Sequence, residues 1–108
     1  MLIYKILLPP QWAEFRSSGR FDGSPLDRTS GFVHCSSRAQ LAATAARFFG
    51  EEPVVVVVAL DAGALTDVRW EPAPDGESFP HVYGALPAAA VAAWYEVAGA
   101  ASMDEVVP

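Results

Sequence analysis

Residues 54–60 read "VVVVVAL". Valine is stiff at χ1 and packs well on a pleated surface, so five in succession read as a strand. No polar residue alternates with them, which is the pattern of a strand covered on both faces. Such a strand needs neighbours beside it and packed layers above and below it. The rest of the chain has to supply them.

Leu2 to Leu8 is apolar around Tyr4 and Lys5 and reads as a first strand. Pro9 and Pro10 stop it. Pro10 suits the first turn of a helix, and "QWAEFRSSG" continues as a short one, with Trp12 and Phe15 on one face and Gly19 at its end. Residues 19–31, "GRFDGSPLDRTSG", read as a loop, rich in glycine and aspartate with one proline, and a loop this long in a small domain is often a cover or a binding edge. Phe32 to Cys35 reads as the second strand and Ser36 or Ser37 as the N-cap of a helix, "RAQLAATAARFFG". Leu41, Ala45, Phe48 and Phe49 form its apolar stripe, and Gly50 closes it.

After the valine run, "DAGAL" reads as a turn or a short helical turn and "TDVRWEPA" as a strand cut off by Pro72. "PAPDGES" reads as a loop and "FPHVYGAL" as a strand loosened at Gly84. The alanines that follow favour helix, yet Val91 to Val97 can form a strand with Trp94 and Glu96 on one face and Tyr95 and Val97 on the other. A turn at 87–90 and then a strand is expected, with the last residues fraying. The order β-α-loop-β-α-β-β-β-β implies an α+β fold in one small domain, residues 1–108. Two main helices pack on a curved antiparallel or mixed sheet, or on two small sheets.

With 52% hydrophobic and 19% charged residues the chain is a globule and not a disordered segment. Its net charge is −6, and only 7 residues are Lys or Arg. An extended phosphate-binding face for nucleic acid is therefore excluded, whereas one arginine suffices for a phosphate-bearing small molecule. The single cysteine cannot form an internal disulfide. No basic region precedes the first apolar stretch, and no apolar run approaches membrane-spanning length, so the protein is expected in the cytoplasm, without membrane attachment.

Strand alternation sorts the polar residues. His34 shares a face with Phe32 and Ser36, while Val33 and Cys35 point the other way. His81 lies with Phe79 and Tyr83, and Arg69 with Glu71. The only two histidines thus occupy matched patterns, Phe32-Val-His34-Cys-Ser36 and Phe79-Pro-His81-Val-Tyr83. Each also has an ordinary reading: a half-buried histidine bonded to backbone, an N-cap at Ser36, a charge pair at Arg69 and Glu71, a core aromatic at Tyr83. Trp12, Trp70 and Trp94 read as core, and Cys35 as a small buried hydrophobe with no base on its own side. No metal-ligand spacing, phosphate-cradling glycine loop or dinucleotide fingerprint is present, and no metal is expected.

"IYKI", the tryptophan shortly after it, "GFVHCSSRAQLAAT", "VRWEPAPDGESFPHVYG" and the leucine that follows resemble the bacterial family known as domain of unknown function 952. The resemblance covers nearly the whole chain. That family is grouped by fold with the ADP-ribosyltransferase-like proteins, which include RNA 2′-phosphotransferases and poly-ADP-ribose polymerases. The resemblance implies NAD as co-substrate, or an ADP-ribose-type nucleotide as ligand. In the wider group a His-Gly-Ser or His-Gly-Thr motif holds NAD, and His34-Cys35-Ser36 looks similar, with a cysteine side chain where the group has glycine. It implies His34 and Ser36 as the ribose and nicotinamide contacts, and Glu71 or His81 as the late catalytic group. Phe32 or Tyr83 would be the aromatic wall and Arg69 or Arg28 the phosphate contact. Loop 19–31 would be the cover.

Two other functions fit the residues. Paired His-x-hydroxyl motifs are similar to those of two-histidine phosphoesterases, although Tyr83 stands where a serine or threonine is expected. A non-catalytic module that binds a small molecule or partner is the other. Convergence of His34, Glu71 and His81 on one cleft separates a shared site from unrelated surface residues.

Overall fold

The computed structural model describes residues 1–108. Along the chain run β1 (Leu2–Leu7), α1 (Pro9–Ser18), β2 (Arg20–Phe21), α2 (Pro25–Ser30), β3 (Val33–His34), α3 (Leu41–Phe49), β4 (Val55–Asp61), β5 (Val68–Pro72), β6 (Ser78–Val82), β7 (Leu86–Pro87), β8 (Val91–Val97) and α4 (Met103–Val106). Single 3₁₀ turns at Arg38–Gln40, Ala62–Ala64, Ala88–Ala90 and Ala100–Ser102 join some of them. No helix is long and apolar enough to cross a membrane.

The strands form three small sheets in the orders β1-β4-β8, β2-β7 and β3-β6-β5, and every pair is antiparallel. The fold is α+β, and the mixed pairing allowed by the sequence does not occur. The valine strand β4 is the middle of its sheet, and Val55 to Leu60 are all buried. Val56, Val58 and Leu60 pack with Ile3, Leu7, Trp12, Phe15 and Phe21 on one side. Val55, Val57 and Ala59 pack with Ile6, Leu41, Ala45 and Met103 on the other. One sheet thus carries a core on each face, which is what an unalternating valine run requires.

Several local expectations change. Residues 19–31 are not a loop throughout: β2 and α2 lie within them. Pro25 opens α2 with its φ preset, and Ser24 and Asp27 form a reciprocal capping box, Ser24 Oγ accepting from Asp27 N at 3.2 Å and Asp27 Oδ2 from Ser24 N at 2.8 Å. The strand expected over Phe32 to Cys35 shortens to Val33–His34, and Ser36 instead bridges Tyr4. Phe48 is 56% exposed, with the Arg47 guanidinium over its ring, while Leu41 and Ala45 carry the buried stripe of α3. Only Trp12 of the three tryptophans is buried; Trp70 and Trp94 lie at the surface.

The chain end does not fray. Met103 and Val107, four apart on one helical face, are buried against the Leu41–Ala45 core. Arg38 fastens that end by donating to Val107 O, Pro108 O and Asp104 Oδ1 at 2.8–2.9 Å.

Candidate functional site

The site is one face of the β3-β6-β5 sheet. In antiparallel register His34 stands opposite His81, and His81 opposite Arg69. Directly opposed residues share a face, so alternation then places Phe32, Glu71, Phe79 and Tyr83 on that face as well. Val33, Cys35 and Val82 point the other way, into the core.

The structure brings His34, Glu71 and His81 together. The two imidazoles lie 5.6 Å apart, ring centre to ring centre, at an interplanar angle of 64°. Phe32 stacks on His81 at 4.0 Å and 21°, and also lies 4.5 Å from His34 and 5.4 Å from Tyr83. Glu71 Oε1 accepts from the Tyr83 hydroxyl at 2.7 Å and pairs with His81 Nδ1 at 2.8 Å. Those two hydrogen bonds, led by the Tyr83 hydroxyl, hold the Glu71 carboxyl below the usual range, and the same bond raises the Tyr83 phenol. Glu71 Oε2 has no hydrogen-bond partner within the chain, nor has Nε2 of either histidine.

His34 is held from a different direction. Its Nδ1 lies 2.7 Å from Asp27 Oδ1, and its backbone N–H donates to the same oxygen at 3.0 Å. Lys5 Nζ lies 3.0 Å from Asp27 Oδ2 and donates to His34 O at 2.8 Å. The side chains of Lys5 and Asp27 are 8% and 2% exposed, against 35% for His34. Burial alone would raise the Asp27 carboxyl. The His34 hydrogen bond, the Lys5 charge and the backbone N–H groups of Ser24 and His34 together override it and hold it well below the usual carboxylate range.

Sequence reading missed Lys5 and Asp27. Ser24-Pro-Leu-Asp27 is a capping-box signature that announces α2, but nothing local announces a partner 22 residues away.

The remaining candidates are placed differently. Ser36 is buried, with its hydroxyl on Thr44 Oγ1 at 3.2 Å, so it does not join the imidazoles on the open face. Ser37, the other candidate cap, precedes the 3₁₀ turn, and its N–H is taken by Gln40 Oε1. Arg69 forms a two-pronged pair with Asp67 at 2.8–2.9 Å and lies over the Tyr83 ring at 4.2 Å. Arg28 makes no ion pair and borders a hollow of about 260 Å³ that Phe32 and Gly84 also line. Cys35 is 3% exposed, and burial pushes its thiol up to about 12. Its side chain therefore occupies none of the space in front of His34. No group of three or more His, Cys, Asp or Glu is arranged to hold a metal ion.

Chemically, this face offers a fixed carboxylate, two imidazoles each tethered through Nδ1, and an aromatic wall. It does so on a sheet whose reverse side is packed core, which limits how far any of these groups can move.

Solved structures provide close relatives. The chain is similar to the crystal structure of protein CC0527 from Caulobacter crescentus, at 37% identity over 89% of this chain and 85% of that one, with a TM-score of 0.84. The solution NMR structure of CC0527 matches at 38% identity over 90% and 83% of the two chains, with a TM-score of 0.76. No curated protein matches the chain. A family described as a protein of unknown function, DUF952, matches residues 6–94. With most of its length inside that match, the chain belongs to the DUF952 family.

Proposed function

We propose that the Phe32–His34–Glu71–His81–Tyr83 face binds a nucleotide of the NAD or ADP-ribose type, and that the protein is an ADP-ribosyltransferase-like enzyme working there. The observation that carries this reading is Glu71: an anion held through one oxygen by His81 and Tyr83, with its second oxygen free, on the same sheet face as His34, whose Nε2 has no partner within the chain. Breaking the bond between nicotinamide and ribose builds positive charge on the sugar, and a preorganised carboxylate stabilises it without having to reorganise. His34 Nε2 meets a ribose hydroxyl. Phe32 and Tyr83 supply the wall for the nicotinamide.

The inward direction of Cys35 supports this, because the site needs no glycine at that position to admit a dinucleotide. Arg28 is the better phosphate contact of the two arginines, since Arg69 is already committed to Asp67. Ser36 has no part in the proposed contacts.

The test is thermal unfolding with and without NAD. A ligand at a hundred times its Kd adds about 2.7 kcal/mol, which reads as a clear rise in melting temperature. The rise is expected to vanish in His34→Ala and Glu71→Gln while the circular dichroism spectrum is kept, and nicotinamide release is expected from the wild type alone. Wild-type protein that responds to neither NAD nor ADP-ribose sinks the reading.

A second reading rests on the two tethered imidazoles. Rings 5.6 Å apart, each anchored at Nδ1 and unbonded within the chain at Nε2, suit paired acid–base catalysis on a cyclic phosphodiester. Hydrolysis of a 2′,3′-cyclic nucleotide, lost in both His34→Ala and His81→Ala, would put this reading first.

A further inference from the structure

We propose that Asp27 is the positioning residue of this site: with Lys5 it fixes His34 as the Nδ1–H tautomer, so that Nε2 faces the ligand as a hydrogen-bond acceptor. The inference rests on the nucleotide-site reading for its meaning, but its geometry stands apart from it.

The donors around Asp27 fix where the ring proton of His34 sits. Asp27 Oδ1 receives Lys5 Nζ at 3.2 Å, His34 N–H at 3.0 Å and the His34 ring at 2.7 Å. Asp27 Oδ2 receives Ser24 N–H at 2.8 Å and Lys5 Nζ at 3.0 Å. A lysine ammonium and two backbone N–H groups are donors only, and the carboxylate they surround is an acceptor only. No proton is left on Asp27 to give to the ring, so the hydrogen in the 2.7 Å contact belongs to His34 Nδ1. In a neutral imidazole the other nitrogen then carries the lone pair. Lys5 already matches the Asp27 charge, so what the carboxylate takes from the imidazole is a hydrogen bond.

No group of the chain bonds His34 Nε2: the Phe32 and His81 ring centres lie 4.5 and 5.6 Å from its own, and Glu71 Oε1 is taken by the Tyr83 hydroxyl and His81 Nδ1. Glu71 Oε2 makes no hydrogen bond to the His34 ring. Lys5 Nζ also takes the His34 carbonyl, so one buried pair holds both the backbone and the ring of this residue. The arrangement also joins three distant segments, since Lys5 lies on β1, Asp27 on α2 and His34 on β3. Segment 20–30 therefore orients a site group from behind as well as bordering it.

The experiment uses the full chain labelled with ¹⁵N at its two histidines, read by long-range ¹H–¹⁵N NMR at a pH where both rings are neutral, with His81→Gln to assign the signals. Wild-type His34 is expected to show a protonated Nδ1 and a bare Nε2. In Lys5→Met/Asp27→Leu, which removes both buried charges together, His34 is expected to shift towards the Nε2–H form while His81 stays unchanged. NAD affinity, read from the melting shift, is expected to fall at least tenfold in that variant. A wild-type His34 protonated at Nε2, or an unchanged tautomer or unchanged NAD affinity in the double variant, overturns the proposal. Should the double variant not fold, the wild-type tautomer alone decides. A wild type that ignores NAD defeats the proposed function, and the tautomer measurement still decides the role of Asp27.

Discussion

Lys5→Met is the substitution that most directly tests the buried pair. The wild-type ammonium makes contacts of 3.0 and 3.2 Å to Asp27 and 2.8 Å to His34 O, all out of water. Methionine keeps the apolar stem and removes the charge, leaving Asp27 with three N–H donors: Ser24 N, His34 N and His34 Nδ1. Removing one partner of a buried pair costs roughly 3–5 kcal/mol. Because the carboxylate keeps those donors, a value near the lower end, about 3 kcal/mol, is expected. At roughly 4–8 °C per kcal/mol for a domain of this size, the melting temperature falls by roughly 12–24 °C. Asp27→Leu strands the lysine instead and is expected to cost at least as much. The double variant Lys5→Met/Asp27→Leu is expected to cost less than the two singles added, since an apolar replacement of a buried pair is often close to neutral.

Urea unfolding of all four proteins at neutral pH measures the cycle. A Lys5→Met cost under about 1 kcal/mol, or single costs that simply add, would refute the reasoning. The pH dependence has a definite sign. The Asp27 carboxyl is lower in the folded than in the unfolded chain, so its contribution is complete above the unfolded value and is lost as pH falls through the folded one. Lys5→Met removes one of the causes that hold it down, and should flatten the loss of stability below about pH 4.

Other outcomes follow from single contacts. Gly23 sits at φ +112°, and a Cβ there would lie 3.0 Å from Asp27 Cβ, so Gly23→Ala should destabilise by more than about 1 kcal/mol in urea unfolding. Cys35, buried and with its thiol at about 12, should resist thiol reagents at mildly alkaline pH until the protein unfolds; rapid native labelling would contradict its placement. Met103→Ala should cost about 2–5 kcal/mol by calorimetry, whereas a frayed end would make it silent. Glu71→Gln should bring the Tyr83 phenol down towards its ordinary value, seen as a shift in ultraviolet titration that Tyr83→Phe lacks.

Much of the site was legible because strand alternation is a local property. It put His34 with Phe32, and Arg69 with Glu71, before any pairing was known, and it turned Cys35 inward. It failed at Ser36, where the strand had already ended and the backbone had turned to bridge Tyr4. Segment 19–31 was misread because its glycines and aspartates signal turns, although Ser24 and Asp27 also spell a helix cap.

The sequence by itself determined the buried central strand, since seven apolar residues without alternation have no stable solvent-facing arrangement. It also determined which face of the segments that become β3, β5 and β6 carries the polar groups. Only the tertiary structure decided that His34 and His81 stand opposite each other, that Glu71 joins them, and that Lys5 and Asp27 close behind His34. Those meetings depend on register and on segments far apart in the chain. A buried charge is tolerable only when its partner arrives from elsewhere in the fold, and no local pattern names that partner.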